Sequence, residues 1–423
     1  MKLSKIGRIS MAFVASVAMG LGMTACGGGT IGYMWVMGTQ YNQIAGFKID
    51  QVTGNLTNIP NSPFSAGGTN PVAIAVKPGG RYVYVVNKGS GKGDGNISLF
   101  SVGGDGILTF QQSYTSQGNT PVWLAADTTG NFLYVLDQQA PAQPCTVQGV
   151  VTTCAAAFGD ITVFAIASDT GRLTLVPNQQ TKVPGSQLQE NYFAVGYKPT
   201  MVRVSSGGCL FTLNSPDVTG QAGPASPDSM ISPYQTNSST GQLTLTANTT
   251  IDTAATAVTS VNVNGSNVYL TDAAKNQILP YTVGTGCALN TANGGSVNNL
   301  SLTSNPVMSL VDSTGKYLYV LNQSTTNTET TYSSISAFTI DATTGKLQNL
   351  GDINNPYSIG AGPVCIVEDP SNQYIYTSNN TDGTVTGKII DKNTGKLSNL
   401  SRGSTFPATG QSTCLAVSGN VSN

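Results

Sequence analysis

Seven copies of one strand pattern, a first copy lacking its opening strand, and a C-terminal segment matching that missing strand predict an all-β chain, a seven-bladed β-propeller closed by its C-terminal strand. A length of 423 residues would by itself suggest two or three domains, but the repeat overrides that expectation. High Gly, Ser, Thr and Asn content, with no sustained heptad or 3.6-residue apolar pattern, agrees with a turn-rich β chain.

The repeating unit opens with Pro and a short apolar run, clearest at Pro71-Val72, Pro121-Val122, Pro199-Thr200, Pro306-Val307 and Pro363-Val364. A Gly-containing turn leads to the second strand, which recurs at Tyr33 to Val36, Tyr82 to Val86, Phe132 to Leu136, Leu210 to Leu213, Val268 to Leu270, Tyr317 to Leu321 and Tyr374 to Thr377. Aromatic and β-branched residues alternate along it, as in Tyr82-Val83-Tyr84-Val85, which suits a strand packed on both faces. Third strands follow at Ile97 to Phe100, Ile161 to Phe164 and Ile335 to Phe338. Each ends in a turn such as Asp169-Thr170-Gly171, Thr343-Thr344-Gly345 or Asn393-Thr394-Gly395, whose Gly supplies the positive φ of a tight hairpin. Outer strands then open at Leu173, Leu347 and Leu397. The first unit enters at its second strand, and Ser412 to Val417 reads as its inner strand. That split closes a ring, whereas an open solenoid would need caps.

The ends set the remaining boundaries. Lys2, Lys5 and Arg8 precede an apolar run from about Met11 to Leu21, too short for a spanning helix of roughly 20 residues. Met23-Thr24-Ala25-Cys26 resembles the lipobox of bacterial lipoproteins. The expected plan is therefore a lipoprotein signal peptide at 1–25, a lipidated Cys26 and tether at 26–30, and the propeller at 31–423. Gly27 in place of Asp favours the outer membrane of a bacterial envelope. Cleavage removes Lys2, Lys5 and Arg8 from the 19 basic residues and none of the 20 acidic ones, leaving a net charge of −4. So acidic and charge-poor a body has no footprint for nucleic acid.

With Cys26 assigned to lipid, six cysteines remain in an oxidising compartment, allowing 15 connectivities. Cys145 and Cys154 lie within one insertion and close a short loop. Cys365 and Cys414 occupy the same position of two inner strands, which become neighbours only if the ring closes. Cys209 and Cys287 are left to pair between units four and five.

The segment Thr314 to Asn322, and Ile335 through Leu347 with Asp341 and Gly345, resemble the β-propeller lactonase family, which includes propeller-type 6-phosphogluconolactonase. The resemblance spans nearly all of residues 31–420 and implies water attack on a cyclic ester. Catalytic members place charged groups, histidine and arginine among them, at one mouth of the channel. This chain has no His, so a carboxylate or a metal-bound water would have to take the role of general base. Two charges interrupt inner strands that are otherwise small or apolar. Arg203 falls where other units place Ala75, Ala125, Ser260, Leu310 and Ala416. Glu368 replaces Val76, Ala126, Val204 and Val311. Arg203 suits a carboxylate or phosphate clamp, and Glu368 suits a base.

Other segments carry less chemistry. Lys88 to Gly95 lacks the spacing of a phosphate-binding loop and reads as a hairpin tip, and Asp94 within it is one acid among glycines. No metal or cofactor signature is present. Trp35 and Trp123 are expected in blade packing. Long insertions at Gln138 to Gly159 and Ser215 to Pro233 are candidate surfaces for a protein or carbohydrate partner. Two functions follow: a lipid-anchored binding or scaffolding propeller, and a lactone hydrolase using Arg203 and Glu368.

Overall fold

The computed structural model describes residues 29–419, apart from 148–149, 184–186, 223–224, 247–250, 253–254, 293, 300–304, 325–331 and 352–355. The expected signal peptide at 1–25 and Cys26 lie outside the described residues.

Seven antiparallel sheets form the blades, each ordered inner, second, third, outer. Blade 1 takes its second to outer strands from Thr30–Gly38, Gln43–Asp50 and Leu56–Asn58, and its inner strand from Ser412–Gly419. Blade 2 comprises Pro71–Val76, Tyr82–Asn87, Asn96–Val102 and Leu108–Tyr114. Blade 3 comprises Asn119–Ala126, Phe132–Gln139, Asp160–Ile166 and Leu173–Leu175. Blade 4 comprises Pro199–Val204, Cys209–Asn214, Met230–Thr236 and Leu243–Leu245. Blade 5 comprises Val258–Asn264, Asn267–Asp272, Gln277–Val283 and Leu289–Thr291. Blades 6 and 7 comprise Asn305–Val311, Tyr317–Gln323, Ser334–Ile340 and Leu347–Asn349, then Pro363–Glu368, Tyr374–Asn379, Thr384–Ile390 and Leu397–Asn399.

The seven second strands and the third and outer strands named from the sequence lie where expected, and the C-terminal strand closes the ring with Met34 opposite Val417, Trp35 opposite Ala416 and Val36 opposite Leu415. The pairing leaves no open edge on blade 1 at the seam. Second strands are buried on both faces because each blade is sandwiched between two others; Val83, Tyr84, Val85 and Val86 have no exposed surface. In blades 3, 6 and 7 the turn before them is held by an Asp. Asp312 Oδ1 accepts the Lys316 and Tyr317 N–H groups at 2.8 and 2.7 Å, and Asp127 and Asp369 do the same for their own turns.

Hairpin glycines join neighbouring blades. Gly171, Gly345 and Gly395 have φ near 70° (67°, 69° and 70°), and a Cβ on Gly171 or Gly395 would strike the ring of Tyr82 or Tyr317 in the preceding blade. The same turns present a carbonyl to a buried second-strand side chain. Trp35 donates to Gly106, Tyr84 to Gly171, Tyr269 to Gly345, Tyr319 to Gly395 and Tyr376 to Gly54. Blade 4 places Phe211 at this position and has no hydroxyl to give. Its seam with blade 5 carries the Cys209–Cys287 disulfide instead, with Cα atoms 5.7 Å apart. The Cys365–Cys414 bond, Cα separation 5.1 Å, locks blade 7 to the closing strand, and Cys145–Cys154 closes the insertion hairpin.

Three features differ from the expectation of four plain strands. In every blade but the second, a short extra strand, such as Phe193–Ala194 or Thr405–Pro407, pairs with the third strand at its free end. The outer strand covers only part of the third one, and the returning chain satisfies the rest. A hairpin of Asn178–Lys182 and Gln189–Glu190 projects from blade 3. The second insertion is shorter than Ser215 to Pro233, because Met230 to Pro233 belong to the third strand of blade 4.

Candidate functional site

The inner strands line a central channel divided into two chambers. One, of about 500 Å³, is walled by the later residues of the strands, including Arg203, Asn262, Val311, Glu368 and Val417. The other, of about 410 Å³, is walled by their earlier residues, including Thr200, Val258, Val307, Pro363 and Val364. Trp123 and Met308 line both and so form the partition. A surface recess of about 480 Å³, bounded by Val76 to Gly80, Pro370 and Ser418, also includes Glu368, which therefore faces both channel and mouth.

The fold brings Arg203 and Glu368 to one chamber because both sit near the end of an inner strand. Arg203 lies opposite Phe211 in the register of blade 4, and Glu368 opposite Ile375 in blade 7. The half-buried Arg203 guanidinium stacks on the Trp123 ring, 4.9 Å from its centroid. No hydrogen bond or ion pair to an acid accompanies that stack among the described residues, and burial lowers its pKa to about 10. It remains a cation at neutral pH, with donors available to an anion.

Glu368 is held from two blades. Its Oε2 accepts the Ser313 N–H at 2.7 Å from the blade 6 turn, and Oε1 accepts the Asn372 amide and, at 3.4 Å, the Ser313 hydroxyl. Burial pushes its carboxyl up to about 7, the Ser313 N–H opposes that, and the negative charges of Asp312 and Asp369 add to it. A carboxylate poised near neutrality in a water-accessible chamber can accept and return a proton.

Two corrections concern this chamber. Register places Asn262, opposite Tyr269, at the level of Arg203, whereas Ser260 lies two pairs earlier. The blade 5 inner strand starts with Val258 where most others start with Pro, which shifted its alignment. Asn262 donates through Nδ2 to the Ser309 carbonyl at 3.0 Å and is the second polar side chain of this layer. Trp35 is fully buried, as expected, but Trp123 lies on the channel wall, since its strand position faces inward.

The long insertions occupy the other end of the ring. Loops joining second and third strands return to the end where inner strands begin, so the described parts of the two insertions leave from the end of the ring opposite Glu368. The sequence proposed both sets as functional; the fold separates them. Lys88 to Gly95 forms a tip in which Asp94 accepts the Ser90 N–H at 2.7 Å. Among the described residues no group of three potential metal ligands gathers, and no helix is long and apolar enough to cross a membrane.

The family described as "Lactonase, 7-bladed beta-propeller" matches residues 30–142 and 309–416. Among solved structures, a putative 6-phosphogluconolactonase from Bacteroides fragilis is similar at TM-score 0.63 and 19% identity, covering 92% of this chain and 98% of that one. A putative 6-phosphogluconolactonase from Bacteroides uniformis gives 0.64 and 16%, covering 92% and 100%. The periplasmic gluconolactonase of Pseudomonas aeruginosa gives 0.65 and 14%, covering 93% and 100%. No curated protein sequence matches the chain. These likenesses support the fold, and the family match extends over both ends of the ring, including its closing strand. The chain belongs to the lactonase family of seven-bladed β-propellers.

Proposed function

We propose that the protein hydrolyses a sugar lactone bearing a carboxylate or phosphate, at the chamber shared by Arg203 and Glu368. The observation that carries this reading is that both line one chamber, where Arg203 has no acid partner among the described residues and the Glu368 carboxyl is pushed up to about 7. Family membership supports the reaction class, and the similar structures named for gluconolactonase activities support the same choice.

In this mechanism the Glu368 carboxylate takes a proton from water as its oxygen attacks the lactone carbonyl. The tetrahedral intermediate collapses with cleavage of the ring C–O bond, and Glu368 returns the proton to the leaving alkoxide. The product is the open hydroxy acid. Ser313 and Asn372 orient the carboxylate, and Arg203, held against Trp123, anchors the substrate anion. A panel of neutral and anionic lactones, assayed with wild type, Glu368→Gln and Arg203→Ala, tests this reading. Turnover untouched by both substitutions would remove the site.

The anchor is part of the proposal. Acylation at Cys26 after cleavage behind Ala25 would hold the ring at the outer membrane. Mass spectrometry of the N-terminal peptide should find an acylated Cys26; an unmodified N-terminus beyond it would contradict this. The insertions at the opposite mouth favour a second reading, docking of a protein or carbohydrate partner there without obstruction of the chamber.

A further inference from the structure

In blades 2 and 4 to 7 the second-strand position before the loop is Asn or Asp with a polar partner, and in blade 1 it is Gly38, but blade 3 sets two acids face to face. Asp137 and Asp160 are register partners, and neither has exposed surface. The sister positions show what is missing. Asn87 donates through Nδ2 to Ser98 Oγ at 3.0 Å, Asn214 to Ser232 at 3.0 Å, Asn322 to Ser336 at 2.8 Å and Asn379 to Thr386 at 2.9 Å. In blade 5 the acid Asp272 faces a donor, Gln277 Nε2, at 3.1 Å. An ionised Asp137 has no donor to offer, and Asp160 brings none.

The surroundings do not supply one for every oxygen. Asp137 Oδ1 accepts the Ser116 hydroxyl at 2.8 Å, and Asp160 Oδ2 meets the Thr162 hydroxyl at 3.4 Å. Asp137 Oδ2 and Asp160 Oδ1 have no hydrogen-bond partner. Gly118 passes so close that a Cβ there would lie 2.0 Å from Asp160 Oδ1, which excludes a side chain that could intervene. Tyr192, carried beside Glu190 and bonded to Gln143 of the insertion, is the other titratable group whose interaction reaches Asp160. No lysine or arginine pairs with either carboxyl among the described residues. Two adjacent buried carboxylates without a cation cannot both stay ionised.

We propose that Asp137 and Asp160 hold one proton between them, that the protonated carboxyl supplies the donor given by asparagine in the sister blades, and that this shared proton clasps the base of the 138–159 insertion. The insertion leaves from the residue after Asp137 and returns at the residue before Asp160. Its base is otherwise tied by Ala140 N–H to the Phe158 carbonyl at 2.8 Å and Gln139 Nε2 to the Ala156 carbonyl at 3.1 Å. Burial raises both carboxyls above the usual carboxylate range, opposed at Asp137 by the Ser116 hydroxyl and the Gly118 N–H, and the charge of Asp137 raises Asp160 further. A folded state that binds a proton more tightly than the unfolded chain is most favoured below the ordinary Asp pKa. That contribution is lost as pH rises through the pair's raised pKa. Ionisation of both acids would therefore loosen the insertion at alkaline pH, far from the chamber of Glu368.

Infrared difference spectra of the full chain, wild type minus Asp137→Asn, test this at pH 6. The difference should contain one protonated-carboxyl stretch, absent again in Asp160→Asn and titrating away at alkaline pH. Subtraction cancels the Glu368 carboxyl common to both proteins. In parallel, wild-type Tm should fall between pH 5 and 9, with faster amide exchange over 140–158. Asp137→Asn, which recreates the sister arrangement, should flatten both trends. Absence of the stretch would overturn the proposal. So would a calcium-dependent rise in Tm abolished by either substitution, which would make the pair a cation site.

Discussion

Glu368 and Arg203 were legible in sequence because a repeat makes its exceptions visible: a charge stands out where most other inner strands carry small or apolar residues. Their meeting in one chamber was not, since it depends on how far along each inner strand they sit, and Asn262 was hidden by a two-residue misalignment. As general base, Glu368 must be ionised, so hydrolysis should rise with pH through about 7 and level off above it. Glu368→Gln should abolish that profile and lower kcat by about 100-fold or more. Arg203→Ala should act differently, raising KM for anionic lactones roughly 10- to 100-fold, the worth of a charge-assisted contact, while sparing neutral ones. Trp123→Ala should reproduce part of that loss by freeing the guanidinium. Equal effects of Arg203→Ala on charged and neutral substrates would argue against an anion clamp.

At the scale of the element, the hairpin glycine and the second-strand aromatic were separately readable, but their partnership across a blade seam was not. Nothing local in Tyr319-Val320 and Gly395 reveals that they touch 76 residues apart. Tyr319→Phe should cost about 1 kcal/mol, the net value of a buried hydrogen bond, in a chemical unfolding curve. The blade 4 seam, where Phe211 stands, should lean on its disulfide. Replacing Cys209 and Cys287 by Ala should cost roughly 4 kcal/mol by chain-entropy reasoning for the loop they close, and an unchanged midpoint would show that packing alone holds that seam. The extra strands and the Asn178–Glu190 hairpin escaped sequence reading because two-residue pairings carry no periodic signal.

Across the whole molecule, ring closure was legible from complementary ends, and the Cys365–Cys414 latch from equivalent positions that only closure makes adjacent. Cys414→Ser should lower stability by about 4 kcal/mol and raise amide exchange first in 412–419. Non-reducing peptide mapping should recover a Cys365–Cys414 peptide; two free thiols would refute the latch. In the proposed mechanism the ring matters because it carries Arg203 and Glu368 on blades 4 and 7, and a loosened seam would spread them. The most direct test is the hydrolysis of anionic sugar lactones, 6-phosphogluconolactone among them, by the purified propeller at pH 8. Turnover by wild type that is lost in both Glu368→Gln and Arg203→Ala is the predicted result. Absence of turnover across the lactone panel, or turnover indifferent to both substitutions, would contradict the account.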